Sequence, residues 1–191
     1  MKALLRPLLL ILFALLLLAP GSNGAVKERS PELKDIIVTT SNSELLLFAT
    51  VANCFTPEMI TGVQNGIPIS FVFQVELSRE RSSWFDATLV ETVITHTMTY
   101  DSLKQQYQIQ HSNRAGKLRT TRSLEEAKQL MAELNGIHVV PLTELEPESP
   151  YSLRLKATLE KNTLPLGIHY ILPFTSLWDF ETDWRTVEFR Y

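Results

Sequence analysis

The chain has 191 residues, 45% of them apolar and 20% charged, with a formal net charge of −3. That usage suits one domain with a sizeable core and excludes wholesale disorder. Mild acidity without a recognition motif makes the chain a poor match for a polyanion, a local basic face aside, so no nucleic-acid partner is expected.

The N-terminus carries the clearest functional signal. Lys2 and Arg6 precede Leu8–Leu18, an uninterrupted apolar run of 11 residues, and Ala19-Pro20-Gly21-Ser22-Asn23-Gly24-Ala25 then supplies helix breakers and small residues. This is the order of a secretory signal peptide, with cleavage expected after Gly24 or Ala25. An uncleaved membrane anchor is the alternative, but the run is short against the roughly 20 residues that span a bilayer. Removing Lys2 and Arg6 leaves 16 basic against 21 acidic residues, a net −5. The organisation read from the sequence is a signal peptide or anchor over 1–24, a flexible lead-in over 25–33 and a single β-rich domain over 34–191. Cys54 is the only cysteine, so no internal disulfide forms; a buried, inert thiol is expected.

Asp35–Thr40 and Glu44–Ala52, separated by Ser41-Asn42-Ser43, read as a first hairpin. Thr56-Pro57 opens a short helix that Asn65-Gly66 ends. Ile67–Arg79 then places Ile67, Ile69, Phe71, Phe73, Val75 and Leu77 on one face, a period of two over a long run. Thr88–Tyr100 returns as its partner across the turn Arg79–Asp86, and the rest of the chain is expected to pair with this hairpin and cover it. Leu103–Ser112 and Lys117–Thr121 continue the meander. Ser123-Leu124-Glu125-Glu126 is a capping-box sequence opening a second helix, with Asn135-Gly136 as its stop signal. Ile137–Leu142 is a short apolar piece and Tyr151–Lys161 an alternating strand. Leu164–Leu172 reads as a covering segment with helical character. The aromatic tail Phe174–Tyr191 is expected to end in one more strand.

Several landmarks fall in a recognisable order. They are Asn65-Gly66-Ile67-Pro68-Ile69, Arg79-Glu80-Arg81 leading to Trp84-Phe85-Asp86, Tyr100-Asp101-Ser102-Leu103 with Tyr107, Ser123-Leu124-Glu125-Glu126-Ala127, Tyr151-Ser152-Leu153, Leu164-Pro165-Leu166, and Trp178 with Trp184. In that order the chain resembles the bacterial family called domain of unknown function 4390. The resemblance implies an exported or membrane-anchored protein and supplies no catalytic residues.

The chemistry-bearing residues are sparse. His96, His111, His138 and His169 share no metal-ligand spacing, and no nucleophile elbow or phosphate loop is present. Glu76, Asp86, Glu91 and Asp101 lie on or near the central hairpin, where solvated strand faces and turn caps are the plainer explanation than paired acid–base work. Arg79, Arg81, Trp84, Phe85 and Asp86 in the turn, with Trp178 and Trp184 in the tail, are the candidate binding surface, because Trp and Arg concentrate at contact hot spots. No cofactor or metal is expected.

The fold expected is α+β and mainly antiparallel, a curved sheet or a β-sandwich with two or three short covering helices. The function expected is a non-enzymatic cell-envelope module, exported to the periplasm, that binds a protein or an apolar ligand. The alternatives are a hydrolase-like enzyme with a spatially assembled carboxylate or His site, and an accessory partner of an envelope sensory system tethered to the inner membrane by an uncleaved N-terminal segment.

Overall fold

Strand β3, Ile69–Arg79, buries Phe71, Phe73, Val75 and Leu77 completely, as its period-2 pattern dictates. In the computed structural model, which describes residues 30–80, 87–113, 117–160 and 180–191, two strands flank it. Strand β4, Ala87–Asp101, pairs antiparallel on one side and sets Ile94 opposite Phe73 and His96 opposite Phe71. Strand β8, Pro150–Leu159, pairs antiparallel on the other and sets Ala157 opposite Phe73 and Leu155 opposite Val75. With β5 (Gln106–His111), β6 (Leu118–Thr121) and β9 (Arg185–Arg190) the order is β6-β5-β4-β3-β8-β9. The β3–β4 hairpin therefore occupies the middle of a six-stranded sheet.

A second antiparallel sheet has the order β1-β2-β7, built from Glu32–Ser41, Glu44–Ala52 and Glu133–Pro141. Strand β2 buries Leu45, Leu47, Ala49 and Val51 while Leu46 and Phe48 are half-covered, which accounts for its nearly continuous apolar run. The two sheets contribute to one core, so the arrangement is two sheets rather than one curved sheet. Asn42 takes a positive φ of 51° in the two-residue turn between β1 and β2, a conformation Asn tolerates and tight hairpins use. Strand β1 begins at Glu32, inside the expected lead-in, because Leu33 is buried opposite Val51.

Two α-helices lie among the described residues. Helix α1, Pro57–Gln64, starts as the sequence dictates: Thr56 Oγ1 accepts from the Met59 amide at 3.3 Å and Pro57 occupies the first turn. Asn65 caps its end and Gly66 follows with φ +87°. Helix α2, Leu124–Ala132, is capped by Ser123, whose Oγ accepts from the Glu126 amide at 3.3 Å. The reciprocal arm of the box is relayed. The Ser123 amide donates to Thr121 Oγ1 at 3.1 Å, and that hydroxyl donates to Glu126 Oε2 at 2.5 Å.

The end of α2 departs from the expected stop. The helix finishes at Ala132 and passes directly into β7, so Asn135 and Gly136 lie within a strand. Leu47 pairs with Ile137 and Ala49 with Leu134, leaving Asn135 and Gly136 opposite Phe48 in a bulge that Gly136 fills at φ +65°. A dipeptide that usually ends helices here bends a strand. No helix among the described residues is long and apolar enough to cross a membrane. The expected signal segment, the turn from Arg81 to Asp86 and the Leu164–Leu172 segment lie outside the described residues.

Candidate binding face and buried histidine cluster

Of the residues expected to form a binding surface, Arg79 and Trp184 fall within the described structure; Arg81, Trp84, Phe85, Asp86 and Trp178 lie outside it. Arg79 closes β3, opposite Tyr151, and its guanidinium pairs with Glu146. The Glu146 amide donates to Tyr151 Oη at 2.6 Å, and the Glu80 amide donates to the Pro150 carbonyl at 3.0 Å. Arg79 thus fastens the segment before β8 to the end of the sheet, which is an anchoring role.

Trp184 has a different setting. Thr182 is buried and grips β8 twice: its amide donates to the Ala157 carbonyl at 2.9 Å and its hydroxyl accepts from the Ala157 amide at 3.0 Å. Two residues on, the Trp184 ring lies 4.5 Å from the Arg154 guanidinium and 5.7 Å from Lys156 Nζ. Arg154 also pairs with Glu76 at 3.1 Å, and Lys156 with Glu181. An aromatic ring, two cations and two carboxylates are thereby joined on the outward side of β3 and β8, opposite the core face. Beyond them β4 presents Glu91, opposite Glu76, and Val93, opposite Gln74; Val93 is 61% exposed. Glu91 is exposed and faces a like charge across the strand pair.

A second cluster, not anticipated from the sequence, lies on the inward side. His96 and His111 are direct cross-strand partners on β4 and β5, with rings stacked at 3.8 Å and 22°. They are 1% and 7% exposed. His96 Nδ1 is 3.0 Å from the Met131 carbonyl and His111 Nε2 is 2.9 Å from the Leu130 carbonyl. These are carbonyls of the last turn of α2, which lack helical partners, and that turn contains no basic residue. The two imidazoles do the capping that a Gly-terminated helix end does with its own backbone, which lets α2 end without a turn. A small open cleft adjoins them and is also lined by Asn113, Arg119, Glu133 and Asn135 over Leu130 and Ile137. The available signal was phase: His96 alternates with Ile94 and Met98, and His111 with Ile109 and Tyr107, all core positions.

The remaining candidates have structural settings. Asp101 Oδ1 accepts from the Leu103 and Lys104 amides at 3.1 and 3.0 Å, the work of a turn cap. Cys54 is buried, donates to the Val51 carbonyl at 3.3 Å, and has its thiol pushed up to about 12, chiefly by burial. Among the described residues, no three His, Cys, Asp or Glu side chains are grouped to hold a metal ion.

No curated protein and no solved structure matches the chain. A family match spans residues 28–188, nearly all of the folded region just described. The chain belongs to the family described as domain of unknown function (DUF4390).

Proposed function

We propose that the protein is an exported, non-enzymatic interaction module that recognises an envelope protein through the outward face of its six-stranded sheet. The observation that carries this reading is the Trp184 ring held over Arg154 and Lys156 beside the open surface of β3 and β4. A Trp fixed by a buried neighbour loses little freedom on binding, and Trp and Arg are the side chains that most often dominate contact energy. Ion pairs with Glu76 and Glu181 orient the two cations, leaving Glu91 and Val93 for a cationic and an apolar group of the partner. Export rests on the N-terminal order of Lys2 and Arg6, the apolar run and the small residues after it.

Affinity capture from an envelope extract tests the reading, with wild type beside Trp184→Ala and a control on the other sheet, Thr39→Ala. The expected outcome is a partner retained by wild type and control and lost from the Trp184 variant, with all three giving the same folded circular-dichroism spectrum. Equal recovery by all three rules out this face.

A further inference from the structure

We propose that the open edge of β1 pairs with the same edge of a second copy of the chain, antiparallel about Thr39, so that two three-stranded sheets become one sheet of six strands. This edge is separate from the outward face of the six-stranded sheet within one copy. Among the described residues the two sheets end in four edge strands: β1, β7, β6 and β9. Proteins blunt such edges with charge, proline, bulges or short strands, because the outer backbone groups recruit other strands. Strand β6 has four residues and carries Arg119. Strand β9 carries Arg185, Glu188 and Arg190. Strand β7 shifts register twice against β2 and ends in Pro141. Strand β1 is irregular only near its start, between Lys34 and Ile37, where Asp35 takes φ +51°. From Ile37 to Ser41 it is regular, uncharged and free of proline.

Only Asn42 and Ser43 close the β1–β2 hairpin, so Ser41 and Glu44 exchange hydrogen bonds and the pairs alternate from there. Thr39 with Leu46 and Ile37 with Phe48 exchange them as well. Val38 and Thr40 therefore aim their N–H and C=O groups away from β2, and β1 has no other ladder among the described residues. A two-fold axis at Thr39 sets Val38 of each copy opposite Thr40 of the other and makes backbone hydrogen bonds at both places. Thr39 meets Thr39 in the position without hydrogen bonds, where Cα atoms stand about 4.5 Å apart. Like charges across such a ladder repel, and this stretch has none to set against itself. Lys34 before it and Glu44 after it stand outside the paired residues. A charged partner strand would find no counter-charge on this edge. Ile37 is 54% exposed and lies opposite half-buried Phe48, with half-buried Leu46 opposite Thr39. The second copy brings Ser41 and Thr39 against the flank of Ile37. Five residues a side fall short of the roughly 1,200 Å² of a standard interface, so the dimer is weak and depends on concentration.

Disulfide trapping and sedimentation equilibrium on the full chain test the pairing. Thr39→Cys is expected to give a covalent dimer on mild oxidation, because its two Cα atoms fall within the span a disulfide bridges. Ile37→Cys sets its two thiols roughly 14 Å apart along the strands, so it should cross-link only by random collision and many times more slowly. Cys54 is buried and stays silent in both variants. In sedimentation the wild type is expected to dimerise as its concentration rises. Thr39→Lys sets two like charges at the axis and should weaken association by about tenfold or more. Thr40→Pro removes an outward N–H while leaving the β2 ladder intact, and repeats the test by a second route. Circular dichroism checks that each variant is folded. A monomer at every concentration overturns the proposal, whatever other strand the edge recruits. So does a dimer that Thr39→Lys and Thr40→Pro leave unchanged, or equal trapping from positions 37 and 39.

Discussion

Gly136 lies beside the ring of Phe48 across β2 and β7, at φ +65°, in the bulge that interrupts β7 just after Leu134 has paired with Ala49. A methyl group added there would meet the ring at 3.7 Å, an ordinary contact, so the position demands glycine for its backbone and not for lack of room. Gly136→Ala is expected to cost about 1–2 kcal/mol, the penalty of a left-handed conformation for a residue with a Cβ. Gly136→Asn should cost less, since Asn tolerates that region. Urea denaturation with an unchanged slope checks both; equal stability of Ala and Gly at this position would contradict the bulge.

Ser123 caps α2, and Thr121 relays the second arm of the cap between the Ser123 amide and Glu126. Ser123→Ala is expected to lower stability by about 1 kcal/mol. Thr121→Val should act in the same direction. Because the two belong to one network, the double variant is expected to lose less than the sum of the singles, which a double-mutant cycle measures.

Phe180 ties the C-terminal part of the chain to the core. Its ring meets Phe71 edge-on at 4.8 Å and 89°, and its carbonyl accepts from the Leu159 amide at 3.0 Å. Phe180→Ala is expected to cost about 3–5 kcal/mol, as buried Phe truncations do. Phe180→Leu should cost much less. A loss below about 1 kcal/mol for the Ala variant, the size of a surface substitution, would place this ring outside the core.

Burial pushes the Cys54 thiol up to about 12, more than its own backbone hydrogen bond and Lys128 lower it. The folded state therefore keeps the proton that the unfolded state gives up from about 9. Its contribution to stability is full below that pH and is lost as the pH rises toward about 12. Thiol reagents at pH 8 should modify the native protein only as fast as it opens, and the urea-unfolded chain at once. Rapid native labelling would contradict the burial.

Much of this architecture was legible because single segments carried it. Period-2 alternation from Ile69 to Leu77 placed β3 in the core, and Thr56-Pro57 with Asn65-Gly66 bounded α1 within a residue or two. The end of α2 was not legible. Asn135-Gly136 serves equally for a helix stop and a strand bulge, and only pairing with β2 decides between them. The histidine pair was hidden for a similar reason: His96 and His111 become neighbours through the register of β4 on β5, which no local spacing reveals. Trp184 was legible as an aromatic worth attention, but the cations beneath it come from β8, about thirty residues earlier in the chain.

The most direct test of the account is site-specific photo-crosslinking in the envelope from Val93, at the open centre of the six-stranded sheet, beside the same probe at Thr39 on β1. The account predicts a discrete protein adduct from position 93 that Trp184→Ala abolishes, and none of that species from position 39. Absence of an adduct at position 93, or the same adduct at both positions, would contradict it.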